Sequence, residues 1–173
     1  VIRALQDDPA GPRARFVLVG DGGMRNEIER LVEREGLSAG ITLCGWRRDV
    51  PAALREFDIL LHTSLWEGLP RVFPEAMATG LPIVATSVDG APEAIEEGVT
   101  GYLLPPGDVE GLARRTLELI RDPRTRRRMG DMALGRVGPW DIDDMVRRQE
   151  RLYEGLMAGE TERAVALSTQ VGG

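Results

Sequence analysis

The feature that most constrains the fold is an alternation. Five short apolar runs, "RFVLVG" (15–20), "ITLC" (41–44), "DILLHT" (58–63), "PIVAT" (82–86) and "TGYLL" (100–104), are separated by segments of helical character. Near-continuous apolar runs are what strands buried on both faces require. The segments between them suit right-handed crossovers between parallel neighbours. Met24, Ile28, Leu31 and Val32 form one helical stripe, which Gly36 stops. Asp49 stands as an N-cap before Val50-Pro51, starting a short helix to about Phe57. Pro74 to Thr79, ended by Gly80, and Pro92 to Glu97 are further short helices. Beyond Leu104 the chain is helical. Val109, Leu112, Ala113, Leu117 and Ile120 make one stripe, Asp122-Pro123 starts the next helix, and Asp141 caps a third carrying Ile142, Met145, Val146, Leu152 and Leu156. The pattern predicts an α/β domain, a doubly wound parallel sheet of Rossmann-like type with extra C-terminal helices, over residues 1–159. The opening "VIRALQDDPAGP" reads as the end of a helix and a loop, so a strand and helix are expected upstream of it. Residues 160–173 have weak periodicity and read as a flexible tail.

Composition removes several function classes. The chain has 173 residues and a formal charge of -6, which argues against nucleic acid as the main partner. Its basic residues are all arginine. The single cysteine, Cys44, rules out an intramolecular disulfide, suits a reducing, cytoplasmic setting, and reads as a buried structural thiol. One His and one Cys make a dedicated zinc or iron–sulfur site a poor reading. No apolar run is long enough to span a bilayer. Arg121, Arg124, Arg126, Arg127 and Arg128 cluster; a solvated helix face is the simpler account, and contact with an anionic membrane surface is the other. His62 lies in a buried-type strand and reads as structural.

In a doubly wound sheet, ligands bind outside the carboxyl ends of the strands. The turns there are Gly20 to Gly23, Gly45 to Arg47, Ser64 to Phe73 and Ser87 to Gly90, expected along one rim. The third holds Glu67, bare Gly68, stiff Pro70 and, at the start of the next helix, Glu75. Gly68 lets a ligand approach the backbone. The amides of Arg71 to Phe73, at a helix start, are expected to point outward as an anion site fit for a diphosphate. Ionised carboxylates only accept hydrogen bonds, so Glu67 and Glu75 suit hydroxyl pairs of a sugar or ribose. A carboxylate on either side of a phosphate cradle suggests a ligand of the form sugar–diphosphate–ribose. Taken alone, two glutamates at this spacing also arise by chance in acidic chains, and "GDGG" lacks the spacing of a dinucleotide fingerprint. Trp66 is placed either to stack on a ligand or to pack under the loop.

The pieces together resemble a known family. "VLVGDGG", "ITLCGWRRDVPAALREFDILLHTSLWEGLPRVFPEAMATGLPIVATSVDGAPEAIEEGVTGYLLPPGD" and "RLYEGL", in this order, are similar to the C-terminal donor-binding domain of group 1 retaining glycosyltransferases of GT-B architecture. The likeness runs over roughly residues 1–158. It implies that Glu67 contacts the transferred sugar and Glu75 holds the ribose diol. It implies that Gly68, Leu69, Pro70, Arg71, Val72 and Phe73 line the sugar and diphosphate. Gly45, Trp46 and Arg47 would frame the base, and Gly20 and Gly22 would line the same cleft. It further implies a nucleoside-diphosphate sugar as substrate, UDP first and GDP next, with no metal or other cofactor. Transfer would follow a front-face course in which the leaving phosphate takes the acceptor proton. The acceptor, a glycan or glycolipid, would sit on a separate N-terminal domain, with room for peripheral contact at the inner face of a membrane. The isolated domain is then expected to bind donor weakly and transfer nothing. The family also carries an Arg and a Lys after the first strand of this domain, and this chain has no Lys. The last helix, with Tyr153 and Leu156 on its apolar face, reaches across the domain junction in such proteins. A starch- or glycogen-synthase-like or other GT-B enzyme, and a non-catalytic module of the same fold, are the rival readings.

Overall fold

The computed structural model describes residues 2–3 and 14–157. Most of the opening helix-and-loop segment and the tail at 160–173 lie outside the described residues. The strands are β1 (Phe16–Val19), β2 (Ile41–Gly45), β3 (Leu60–His62), β4 (Ile83–Thr86) and β5 (Gly101–Leu104). The helices are α1 (Arg25–Arg34), α2 (Val50–Leu54), α3 (Val72–Ala78), α4 (Ala91–Ala94), α5 (Val109–Arg121), α6 (Pro123–Leu134) and α7 (Ile142–Met157). A 3₁₀ turn at Gly138–Trp140, not foreseen from the sequence, joins α6 to α7.

All strand pairs are parallel, as expected, but they form two blocks: β1 pairs β2, and β3-β4-β5 form a second sheet. Alternation sends successive side chains of the second sheet to opposite faces. Ile83, Ala85 and Leu103 pack with α2, α3 and α4 around Phe73, Met77 and Ile95. Val84, Tyr102 and Leu104 pack with α5 and α6 through Leu112, Leu119 and Met129. The second face is fastened by the Tyr102 hydroxyl donating to Glu118 Oε1 at 2.7 Å, with the Arg115 guanidinium 4.3 Å from the Tyr102 ring. Two buried threonines donate to backbone carbonyls, Thr86 to that of Ser64 and Thr116 to that of Leu112.

Three helix starts follow the side-chain chemistry expected of N-caps. Asp108 accepts from the Gly111 amide, Asp122 from Arg124 and Thr125, and Asp141 from Asp143 and Asp144. Asp49 departs from this. It occupies the N-cap position of α2 but makes no cap bond. Its carboxylate is taken by the Arg47 guanidinium, a charge-assisted pair that outcompetes a single amide.

Cys44 is exposed, which corrects the expectation of a buried thiol. The reason is local. Inward residues of the small sheet alternate with an outer row, and Val17 at 38% and Val19 at 40% exposure share the uncovered side. The next helix along the chain, α2, is only 5 residues long. The α7 face is open too: Ile142, Met145, Val146, Tyr153 and Leu156 are exposed, and α7 has no buried residue.

Candidate functional site

The site is built from the loops that leave the carboxyl ends of the strands. After β1, Gly20 at φ 140° turns the chain, and the Gly22 amide donates to Asp21 Oδ1. After β2, Gly45 sits at φ 67°, in the left-handed region that favours glycine. The Gly20 amide donates to the Gly45 carbonyl at 2.9 Å, so these two turns are tied backbone to backbone. Trp46 is 66% exposed beside the Arg48 guanidinium, and the Arg47 side chain is held on Asp49, which raises the Arg47 pKa and lowers that of Asp49.

The loop after β3 carries the two glutamates. Glu67 is half-buried and held from three directions. Ser64 Oγ donates to Glu67 Oε1 at 2.8 Å, His62 Nε2 lies 3.4 Å from the same oxygen, and the Glu67 amide donates to Asp89 Oδ2 at 2.7 Å. The next loop clamps this one further: the Gly90 amide donates to the Gly68 carbonyl, and a Cβ on Gly90 would collide with that oxygen. Asp89 takes φ 41°, the one non-glycine residue at positive φ among those described. Such a conformation costs roughly 1 kcal/mol or more and persists where surrounding contacts fix it. Here the fixing contact is the Glu67 amide. Asp89 and Ser64 were not singled out from the sequence. The signal available was the Asp89-Gly90 dipeptide, a turn pair that tolerates left-handed backbone.

Gly68 has no heavy atom within 4 Å of where a Cβ would stand, and the same holds for Gly20 and Gly22. The backbone at these turns is therefore open to an incoming group. Leu69 is exposed and Pro70 is buried. Helix α3 begins at Val72, with Glu75 in its first turn. The Phe73 amide donates to the Pro70 carbonyl at 3.0 Å, and the Phe73 ring is fully buried, edge-on to His62. Phe73 therefore supplies packing and not an outward amide, which corrects the expectation for this residue.

A cleft of about 1940 Å³ connects several of these parts. Gly20, Gly22, Gly23, Thr63, Val72, Glu75 and Thr86 belong to its wall, so the β1 loop and the β3–α3 segment share one rim. Glu67, Gly45, Trp46 and Arg47 are not part of that wall. Trp66 is 77% exposed and does not pack under the loop.

His62 is the chain's one histidine, and burial pushes its pKa below the ordinary 6.5, with the Glu67 carboxylate opposing more weakly. Its Nδ1 is buried without a hydrogen-bond partner among the described residues. Below pH 6.5 the unfolded chain binds a proton that the folded chain resists, so stability falls as pH drops from there. Thermal melts between pH 8 and 5 are expected to show this decline, and His62→Leu is expected to flatten it. An equal slope in the variant would contradict the neutral, desolvated assignment.

Comparison with known proteins gives this rim a family. The model described as "Glycosyl transferases group 1" matches residues 1–122. The chain belongs to that family. The N-acetyl-alpha-D-glucosaminyl L-malate synthase of Bacillus anthracis is 37% identical over 141 residues, covering 81% of this chain and 37% of that protein. The Vi polysaccharide biosynthesis protein VipC/TviE of Salmonella typhi is 40% identical over 102 residues, 59% of this chain and 17% of that protein. Among solved structures, Anabaena Alr3699/HepE in complex with UDP superposes with a TM-score of 0.77 at 31% identity, over 91% of this chain and 44% of that one. The same protein has also been solved with UDP-glucose. The sucrose-phosphate synthase of Thermosynechococcus elongatus matches with a TM-score of 0.80 at 26% identity, over 91% of this chain and 41% of that one. This glycosyltransferase chain thus has the Rossmann-like fold of the GT-B C-terminal half, and it spans less than half the length of these relatives. No described helix is long and apolar enough to cross a membrane.

Proposed function

We propose that this chain is the donor half of a retaining glycosyltransferase. It holds a nucleoside-diphosphate sugar, UDP-linked in preference to GDP-linked, for transfer to a glycan or glycolipid held by a separate N-terminal domain. One observation carries the reading. Glu75 stands in the wall of the cleft shared with Gly20 and Gly22, while Glu67, anchored by Ser64 and Asp89, stands beside the open backbone of Gly68. One carboxylate acceptor of hydroxyl hydrogen bonds thus stands beside the bare Gly68 backbone and another in the cleft wall. Glu75 takes the ribose diol and Glu67 the hydroxyls of the sugar. The amides of Arg71 and Val72 face the diphosphate, with Gly45, Trp46 and Arg47 toward the base. In this reading no side chain acts as general base. The leaving phosphate receives the acceptor proton, and the protein contributes positioning and electrostatic support. The UDP complex of the Anabaena relative supports the choice of UDP as carrier.

Calorimetric titration with UDP, GDP, ADP and CMP tests the reading. The expected result is weak binding of UDP, with the other nucleotides weaker by about tenfold or more, a difference of roughly 1.4 kcal/mol. A preference for ADP would favour a starch- or glycogen-synthase-like donor. No nucleotide binding, by this chain or by a longer polypeptide that includes upstream sequence, would favour a non-catalytic module.

A further inference from the structure

Glu67 stands on a loop, yet its carboxylate is held from the sheet. His62 is the last residue of β3 and pairs in register with Ala85 of the central strand β4. Its ring is fixed in turn by the buried Phe73, edge-on at 5.0 Å between centroids. His62 Nε2 lies 3.4 Å from Glu67 Oε1. Ser64 Oγ donates to that same oxygen at 2.8 Å, and the Ser64 carbonyl accepts from Thr86, which is buried at the end of β4. The Glu67 backbone is pinned separately, by Asp89. Two neighbours thus converge on Oε1, and among the described residues none donates to Oε2. A carboxylate mounted this way is set in place before any ligand arrives.

We propose that His62 and Ser64 are positioning residues, which together occupy Glu67 Oε1 and leave Oε2 as the one oxygen that meets a ligand hydroxyl. A neutral imidazole carries one N–H and one bare nitrogen. His62 Nδ1 is buried with no hydrogen-bond partner among the described residues, and burial opposes a charge on the ring. Orphaned buried N–H groups are rare, and a carboxylate oxygen beside Nε2 attracts a proton there and repels a lone pair. The proton therefore sits on Nε2, on the side of Glu67, and Nδ1 is bare. A carboxylate oxygen has about two acceptor sites, and the Ser64 O–H with the His62 N–H fills those of Oε1. The His62 contact, at 3.4 Å, is longer than a formed N–H···O bond of about 2.7–3.2 Å. A shift of a few tenths of an ångström closes it, and contacts of this kind tighten when a ligand binds. With Oε1 committed, Glu67 reads a single sugar hydroxyl and not a pair. The role toward the sugar rests on the proposed donor function; the contact at Oε1 does not.

The chain has one histidine, so NMR of isotope-labelled histidine reads a single ring and tests the contact without any ligand. The expected result at neutral pH is a protonated Nε2 and a bare Nδ1, with an Nε2–H proton that exchanges slowly enough to be seen. Glu67→Ala should shift that proton upfield or lose it to exchange. A proton on Nδ1, or an Nε2–H signal indifferent to Glu67→Ala, would overturn the proposal. Calorimetry with UDP and UDP-glucose tests the role. Ser64→Ala and His62→Leu are each expected to cut the affinity added by the glucosyl group about threefold to tenfold, the size of one neutral hydrogen bond. His62→Gln, whose amide donates from near the place of Nε2, should restore most of that gain. A loss in His62→Gln equal to that in His62→Leu, or a glucosyl gain untouched in both His62→Leu and Ser64→Ala, would show that the pair does not position Glu67. Failure of the unchanged chain to bind UDP would strike the donor function and leave the NMR result to decide the contact at Oε1.

Discussion

Replacing Glu75 by alanine is expected to weaken UDP binding by about tenfold to a hundredfold while moving the melting temperature by no more than a few degrees. The size follows from the chemistry: a hydrogen bond to a charged partner contributes roughly 1.5–3 kcal/mol. The small structural effect follows from the position. Glu75 is half-buried in the first turn of α3, a helix whose core contacts come from Phe73, Ala76 and Met77. Its favourable placement near the helix N-terminus contributes under about 1 kcal/mol, and alanine is itself a strong helix former. Binding and folding should therefore separate at this residue. Calorimetry and thermal melts on one preparation read both.

A large effect on stability is expected at Gly130. In an exposed helix interior, Gly→Ala stabilises by about 1 kcal/mol. Here the sign reverses. Gly130 lies in the interior of α6, flanked by buried Met129 and Ala133, and its Cα faces the Gly80 carbonyl at the end of α3. A Cβ would stand inside contact distance of that backbone oxygen, and no flexible side chain is there to yield. Gly80 is at φ 70° and cannot shift its own backbone cheaply. Overpacking of this kind costs roughly 1–3 kcal/mol or more, against a gain of about 1 from propensity. Gly130→Ala should lower the melting temperature, and Gly130→Val should lower it further or prevent folding. An unchanged or raised melting temperature for the alanine variant would show that α6 can move off the loop.

The element order was legible because strands and helices here obey simple periods. Each apolar run became a strand, and each stripe became a helix within a few residues. Less legible were features set by partners distant in sequence. Asp49 has the right position for a cap, but Arg47 competes for it across a two-residue turn. Cys44 alternates correctly in its strand, yet its face is left uncovered. Phe73 looked available at a helix start, and only packing against His62 shows that its ring and amide are committed inward. The anchoring of Glu67 by Asp89 joins two loops 22 residues apart, a link that no local pattern encodes. The split of the sheet is the same kind of fact: strand pairing depends on which strands are present, and composition does not report it.

The most direct test of the account is a pair of titrations, UDP and UDP-glucose, into the unchanged chain, Glu67→Ala and Glu75→Ala. If Glu75 holds the ribose and Glu67 the sugar, Glu75→Ala weakens both ligands by a similar factor. Glu67→Ala then leaves UDP within about twofold and removes the extra affinity that the glucosyl group confers, whatever its size. Loss of UDP binding in Glu67→Ala, or UDP binding untouched in Glu75→Ala, would contradict the assignment of the two carboxylates.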